Sequence, residues 1–290
     1  MSRYDRLRQI QQLDPIKDCC QIVHLMSGYE FPWDITRSLE IALFRTYCVP
    51  SISALLDKTG EFRHRTQKRY DDTGLLVAEI MKWGYDSDRG RAAIVRMNNI
   101  HGKFKIANED FLYVLSTFIY EPIRWIDRFG WRKMCETERL ASYYFWREVG
   151  ERMQIQNIPK TYEEFELYNL NYERENFRYS DTNRRVGEAT RDLFLSWFPS
   201  FLRWAIEPAV YAMLDETMRS AFGFPDPPQL LKSAVPMILK IRGQGLRLFP
   251  SKKQPAFYTD FPNISYPNGY QLEDLGPPHM LESLKQNQDG

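Results

Sequence analysis

The chain has 290 residues, 43% of them hydrophobic, and a formal net charge of +1, so it is long and apolar enough for a folded core. The balanced charge excludes a strongly basic protein that binds nucleic acid through its net field. Four cysteines without a C-x-x-C pair show no zinc or disulfide framework and favour a reducing compartment. The 14% aromatic content suits large packed interfaces or an apolar cavity around a flat ligand.

No segment has the pattern of a signal peptide or of a membrane-spanning helix. Residues 1–17 are charged and interrupted by Pro15, so they lack the apolar core of a signal peptide. Residues 111–120 and 193–202 are apolar, but each stretch is shorter than the ~20 residues that cross a bilayer. We therefore expect a cytoplasmic protein without a membrane span. Free cytosol and peripheral membrane contact both stay open.

Apolar residues recur at helical spacing along most of the chain, and the alternation typical of strands is nearly absent. The fold class is therefore predicted to be all-α. We expect one globular multi-helix domain over residues 1–250 and an irregular tail over residues 251–290, whose last ten residues should be disordered. In chain order, the predicted helices cover residues 34–48, 50–58, 68–83, 91–104, 108–129, 136–153, 162–180, 181–197 and 229–249.

Local signals set the limits of several of these helices. Asp34 is a candidate N-cap, and residues 86–88 supply cap-type side chains before the helix that contains His101. Gly84 is expected to end the helix over residues 68–83, as glycines do at helix C-termini. Pro122 is expected to interrupt the long apolar helix at residues 108–129.

Three of the four histidines have a non-functional explanation. His24 lies in an aliphatic run, which favours a structural role on a partly buried helix face. His279 lies in the irregular tail and is expected to be solvated. Glu61 and His64 form E-x-x-H, which is half of a carboxylate-bridged di-iron motif. The sequence contains no second E-x-x-H, so this pair is interpreted as a coincidence.

His101 differs because it lies on an apolar helix stripe with Met97 and Phe104, and Gly102 removes bulk beside it. A flat group could approach such a surface, and an imidazole nitrogen is the common protein ligand of haem iron. The position of His101 on an apolar stripe, taken alone, nevertheless favours a hydrogen-bonded core histidine over an iron ligand.

Arg69 and Thr73 lie one helical turn apart, on the same face of the helix over residues 68–83. An arginine on an apolar face is costly unless it is paired. Two alternatives stay open: an ion pair with Asp57 or Glu61, or an arginine that binds a propionate or polarises bound oxygen. The motifs of dinucleotide-binding, P-loop, zincin and c-type haem proteins are missing from the sequence.

Three runs in a fixed order resemble the signature of a known family. They are RYDDT at residues 69–73, KWG at residues 82–84 and RAAIVRMNNIHG at residues 91–102. An R-x-x-x-T pair, an aromatic–Gly helix end and a histidine in an Arg-rich helix are typical of the mpaB-type and rubber oxygenase (latex-clearing protein) catalytic-domain family. Further similar stretches lie at residues 112–115, 125, 129–130, 139, 146–150, 158–159, 266–270 and 275–276.

The resemblance implies an all-α domain that carries noncovalent haem b, with His101 as the axial iron ligand. Arg69 and Thr73 would lie across the pocket as catalytic and cofactor-binding residues. Lys105 takes the place of a motif arginine near the cofactor, which keeps the charge but loses the two-pronged geometry. Arg69 would stabilise negative charge developing on oxygen, and Thr73 would donate a hydrogen bond or shape the pocket.

The function implied by the resemblance is oxidative cleavage of a carbon–carbon double bond in an apolar, isoprenoid-type substrate, with dioxygen as co-substrate. Two departures stand against polymer cleavage. Asp72 takes the place of a lysine that can cap the iron in rubber oxygenases, and residues 50–60 offer no distal glutamate, with Glu61 just beyond them. The alternatives are a non-catalytic haem- or lipid-binding helical protein and a cofactor-free helical scaffold. An electron donor cannot be identified.

Overall fold

Helices connected by short turns account for most of the chain in a computed structural model, which describes residues 3–278 and residue 280. The described residues contain one isolated β-bridge, between Asn263 and Tyr266, and no longer strand, so the all-α prediction is confirmed. The α-helices are α1 (Asp5–Ile10), α2 (Cys19–Leu25), α3 (Pro32–Thr46), α4 (Pro50–Thr59), α5 (Glu61–His64), α6 (Thr66–Trp83), α7 (Asp88–His101), α8 (Asn108–Phe129), α9 (Glu136–Arg152), α10 (Tyr162–Asn176), α11 (Asp181–Ser196), α12 (Arg203–Met213), α13 (Glu216–Phe222) and α14 (Gln229–Gly245).

The residues predicted to end α6 and to cap α7 do so in the structure. Gly84 follows α6 with φ +80°, a conformation that glycine adopts without steric cost. The Ser87 side chain accepts a hydrogen bond of 2.9 Å from the Gly90 backbone N–H and caps α7. Helix α8 begins and ends as predicted, but Pro122 lies inside it without dividing it.

Asp34 is not a helix cap, because α3 begins at Pro32 and the carboxylate of Asp34 faces the core. It accepts hydrogen bonds from Trp125 Nε1 at 3.1 Å and from Arg242 Nη1 at 2.8 Å. Asp34 therefore connects α3 to α8 and α14. These partners are distant in the sequence, so no local pattern could predict them.

Helices α1, α2, α5, α12 and α13 lie outside the predicted ranges. Helix α12 has a proline inside it and lacks a clean polar face, so its period is weak in the sequence. Helix α10, expected to be largely exposed, buries three side chains, and it ends at Asn176 rather than at residue 180.

The main core forms where α3 packs along α8 and α6 packs along α7. Its largest fully buried side chains include Trp131, Tyr120 and Tyr143. A smaller aromatic cluster around Phe44 and Phe222 joins α3 to α13. The two clusters hold α3 and α6 in place, and these helices carry the candidate site.

The segment after Pro250 is irregular, as expected, but its described part packs against α6 and α7. Arg96 Nε donates to the Leu275 carbonyl oxygen at 2.8 Å, and Tyr270 donates to Glu79 at 2.6 Å. Leu275 is completely buried in the main core. The division at residue 250 stays a prediction. The expected disorder of residues 281–290 and the solvated His279 fall outside the described residues.

Among the described residues, no single helix combines the length and the apolar composition needed to cross a membrane. Helices α3 and α4 meet this test only when taken together, with a bend of 98° between them.

Candidate functional site

A cavity of about 330 Å³ opens between α3, α5, α6, α11, α12 and α14, within the size range of small-molecule sites. Its wall is mostly aliphatic and aromatic, which favours a lipophilic occupant. The polar side chains that reach it are Arg37, Glu40, Tyr47, Thr66, Arg69, Tyr70, Thr73, Thr190 and Arg191.

Arg69 lies on this cavity without an ion-pair partner among the described residues. The two carboxylates that the sequence offered are engaged elsewhere: Asp57 binds Arg185 at 2.7 Å, and Glu61 binds Arg65 at 2.6 Å. Of the two alternatives for Arg69, the ion pair is therefore excluded. A half-buried, unpaired guanidinium on an apolar wall is costly, and it is available to an anionic group.

Thr73 lies one turn after Arg69 and lines the same cavity. Its hydroxyl donates to the Arg69 carbonyl oxygen at 3.0 Å, so in this conformation its hydrogen is already engaged within α6. It also borders a second cavity of about 70 Å³. Thr73 therefore shapes the wall between two cavities and can accept a hydrogen bond there.

His101 is the last residue of α7, and its ring is half-buried with its edge near Phe111, at 5.4 Å between ring centroids. Its Nδ1 atom is buried without a partner, and the ring forms no hydrogen bond with a described residue. Burial, together with the positive charge of Arg69, lowers the pKa of His101 to about 4. The imidazole is therefore neutral near pH 7 and its nitrogens are not engaged by the protein.

These properties of His101 fit a residue that would hold the iron of haem b. A neutral imidazole with a free nitrogen is the form that binds iron, and haem would need only one such protein ligand. The described residues contain no group of three or more His, Cys, Asp or Glu side chains that could hold a bare metal ion. His101 is not among the residues that line the large cavity, whereas Arg69, whose charge contributes to the lowered pKa of His101, does line it.

Lys105 lies in the exposed turn between α7 and α8 and does not reach the cavity. No described residue forms an ion pair with it. The proposed contact between Lys105 and a cofactor stays a prediction.

Sequence reasoning missed a polar group on the cavity wall, formed by Arg37, Glu40 and Tyr70. Arg37 Nη2 forms an ion pair with Glu40 at 2.8 Å, and the Tyr70 hydroxyl donates to the same carboxylate. Burial raises the pKa of Glu40. The i,i+3 spacing of Arg37 and Glu40 was the only local signal, and such pairs are common on solvated helices.

The remaining sequence candidates have structural partners. His24 Nδ1 bonds the Lys82 carbonyl oxygen at 2.7 Å, which confirms a structural role. His64 is exposed, and the carboxylate of Glu61 accepts a hydrogen bond from Arg65. The two side chains of the E-x-x-H pair therefore do not form a shared site.

Asp72, which takes the place of the rubber oxygenase lysine, is buried and is held by two partners. Lys68 Nζ donates to it at 2.9 Å, and the Tyr266 hydroxyl donates to it as well. Asp72 therefore fastens the irregular segment to α6.

The chain matches a family model described as "ER-bound oxygenase mpaB/B'/Rubber oxygenase, catalytic domain" over residues 41–237. It is 30% identical over 249 residues to an ER-bound oxygenase mpaB' of Penicillium brevicompactum, covering 80% of this chain and 59% of that protein. It is 34% identical over 170 residues to an ER-bound oxygenase mpaB of Penicillium roqueforti, covering 53% of this chain and 57% of that protein.

A solved structure of latex clearing protein LCP in the closed state aligns with a TM-score of 0.44 and 14% sequence identity, covering 86% of this chain and 74% of that one. The chain spans less than two thirds of the length of both Penicillium relatives. The family model covers more than half of the chain, and its match includes Arg69, Thr73 and His101. The chain belongs to the family of mpaB/B' and rubber oxygenase catalytic domains.

Proposed function

We propose that this chain is the catalytic part of a haem b-dependent oxygenase that uses dioxygen to cleave a carbon–carbon double bond in a lipophilic, isoprenoid-type substrate. The observation that carries the proposal is the buried Nδ1 of His101, which has no hydrogen-bond partner, together with the guanidinium of Arg69 on the apolar cavity, which has no ion-pair partner among the described residues. Burial and the positive charge of Arg69 lower the pKa of His101, which keeps the imidazole neutral near pH 7. The names of the relatives, all oxygenases, support the same class of reaction.

Each residue would have a role set by its own chemistry. His101 would hold the iron through a ring nitrogen, and its lowered pKa keeps that nitrogen free of a proton near pH 7. Bound haem would supply a redox-active iron for dioxygen chemistry. Arg69 would bind a carboxylate or stabilise developing negative charge, and Lys105 would add a second positive charge.

The cavity wall would select the substrate and exclude water. Aromatic and aliphatic side chains from α3, α11, α12 and α14 surround the space. Transfer of an apolar substrate from water into it would therefore be favourable. Thr73 would narrow the cavity next to Arg69, which would fix the depth to which a substrate enters. No nucleic-acid partner is expected, because the net charge of the chain is only +1.

Absorption spectroscopy tests the cofactor first. We expect the parent protein, made with ample haem, to show a Soret band, and His101→Ala to lose most of it. His64→Ala is the matched control, because His64 is an exposed histidine on α5 without a role in the site. A parent protein without the band, or a His101→Ala variant with a band as strong as the parent's, would contradict the proposal.

Oxygen consumption with polyprenyl test substrates then tests turnover. We expect the haem-loaded parent to consume oxygen when substrate is added. If haem binds through His101 and no test substrate stimulates oxygen uptake, the chain is a haem-binding protein rather than this oxygenase.

A further inference from the structure

Large apolar side chains are exposed on two helices that pack against each other, α12 and α14. We define the α12–α14 face by Trp204 of α12, by Leu230, Met237 and Ile241 of α14, and by Phe201 and Leu248 in the 3-10 turns that adjoin these helices. Trp204 is 78% exposed and Leu248 is 87% exposed. Single exposed apolar residues are normal, but several on adjoining elements mark an interaction site.

Helix α14 is apolar on both sides. Met237 and Ile241 are one turn apart on the exposed side, while Val235 and Leu239 line the large cavity. A surface helix of a protein surrounded by water normally has a polar outer face. The composition of α14 therefore indicates that its outer face meets something apolar.

The charges around this face are mostly positive, since the acidic side chains next to it, Glu207 in α12 and Asp226 before α14, are paired with Arg191 and Lys232. Residues 197–206 contain one arginine, residues 227–259 contain six Lys or Arg residues, and neither segment contains Asp or Glu. Arg203, Lys240, Arg247 and Lys253 are among those that are exposed. Exposed aromatic and aliphatic side chains flanked by Lys and Arg are typical of surfaces that lie on anionic lipid.

A second copy of the chain fits this face less well than a lipid surface does. In a symmetric dimer the same patch meets itself, so the cations of one copy would face those of the other. An anionic bilayer surface instead attracts the Lys and Arg residues and accepts the apolar side chains below its headgroups.

We propose that the α12–α14 face docks on the surface of a bilayer that contains anionic lipids. The same two helices supply Ile206, Val210, Val235 and Leu239 to the cavity wall. A lipophilic molecule could therefore pass from the bilayer into the cavity between α12 and α14. This route rests on the lipophilic substrate of the proposed function, whereas the docking itself does not.

Vesicle flotation of the full chain tests the docking without haem or substrate. The parent is expected to float with phosphatidylcholine vesicles containing about 30% phosphatidylserine, and to bind pure phosphatidylcholine more weakly. The double variant Trp204→Ser, Ile241→Ser should lose at least about tenfold in binding to the mixed vesicles, because it removes two apolar anchors. Lys240→Glu with Lys253→Glu should weaken binding to the mixed vesicles and make it less sensitive to salt.

The matched control is Leu167→Ser with Leu170→Ser, which removes two exposed leucines from α10, outside the α12–α14 face. This control is expected to float as the parent does. The proposal is overturned if the parent does not bind the mixed vesicles, if the Trp204, Ile241 variant binds them unchanged, or if the control loses binding equally. A parent dimer that the Trp204, Ile241 variant dissociates, without any vesicle binding, would assign the face to self-association. Because binding is measured without turnover, failure here is distinguishable from failure of the proposed oxygenase.

Discussion

Arg69 acts on His101 across the packed pair α6 and α7, where its positive charge adds to burial in lowering the pKa of the imidazole. Neither side chain has an ion-pair or hydrogen-bond partner among the described residues. Two polar groups that are only partly exposed and unpartnered cost folding free energy, and such exceptions concentrate at functional sites. The free energy of unfolding of variants at these two positions therefore tests whether the side chains serve folding or function.

Replacing His101 by Leu is expected to leave the stability of the haem-free protein within about 1 kcal/mol of the parent, because no hydrogen bond is lost. His24→Leu is the contrasting variant, since it leaves the Lys82 carbonyl without its bond and should cost about 1–3 kcal/mol. Urea unfolding at neutral pH measures both. A His101→Leu variant as unstable as His24→Leu would show that His101 is an ordinary core residue.

The haem-free protein should lose stability in acid through His101. Its pKa is about 4 in the folded chain against 6.5 ordinarily, so the unfolded chain binds more protons between these values. No stability is lost above about pH 6.5, where the ring is neutral in both the folded and the unfolded chain. The loss grows as the pH falls towards 4, to an upper limit on the order of 3 kcal/mol. Urea unfolding at a series of pH values measures it as the difference between the parent and His101→Leu. A difference that does not vary with pH would contradict the assignment.

Substitution of Arg69 should separate function from folding. Arg69→Met breaks no ion pair, so we expect a change in unfolding free energy below about 1 kcal/mol and a loss of at least about 100-fold in oxygen consumption. Arg132→Met should instead cost about 3–5 kcal/mol, because Glu30 and Glu138 would be left buried without their partner. Urea unfolding measures the stability of both variants, and oxygen uptake measures their activity. Full oxygen uptake by Arg69→Met would remove this residue from the site.

Placing a lysine at position 72, as in rubber oxygenases, should damage the fold instead of creating an iron-capping residue. Asp72→Lys removes the acceptor of Lys68 and Tyr266 and puts two cations side by side, at a cost of about 2–4 kcal/mol. Asp72→Asn, which can still accept a hydrogen bond, should cost less, about 1–2 kcal/mol. Urea unfolding ranks the two variants. A stable Asp72→Lys protein with a haem spectrum different from the parent's would contradict this expectation.

The sequence by itself determined the features that depend on near neighbours along the chain. The start and end of α8, the glycine that ends α6 and the cap of α7 follow from periodicity, backbone conformation and one side-chain hydrogen bond. The ordered runs at residues 69–73, 82–84 and 91–102 identified the family, which the family model confirms. These signals lie within a few turns of helix, so they are present before the chain folds.

Only the tertiary structure decided which charges have partners. Asp57 and Glu61 were both within reach of Arg69 along the chain, but Arg185 from α11 takes the first and Arg65 takes the second. Asp34 likewise binds Arg242, which no local pattern relates to it. The exposed apolar side of α14 and the polar group at Glu40 also became apparent only in three dimensions. Burial and pairing depend on contacts between distant segments, and a single sequence does not report those contacts.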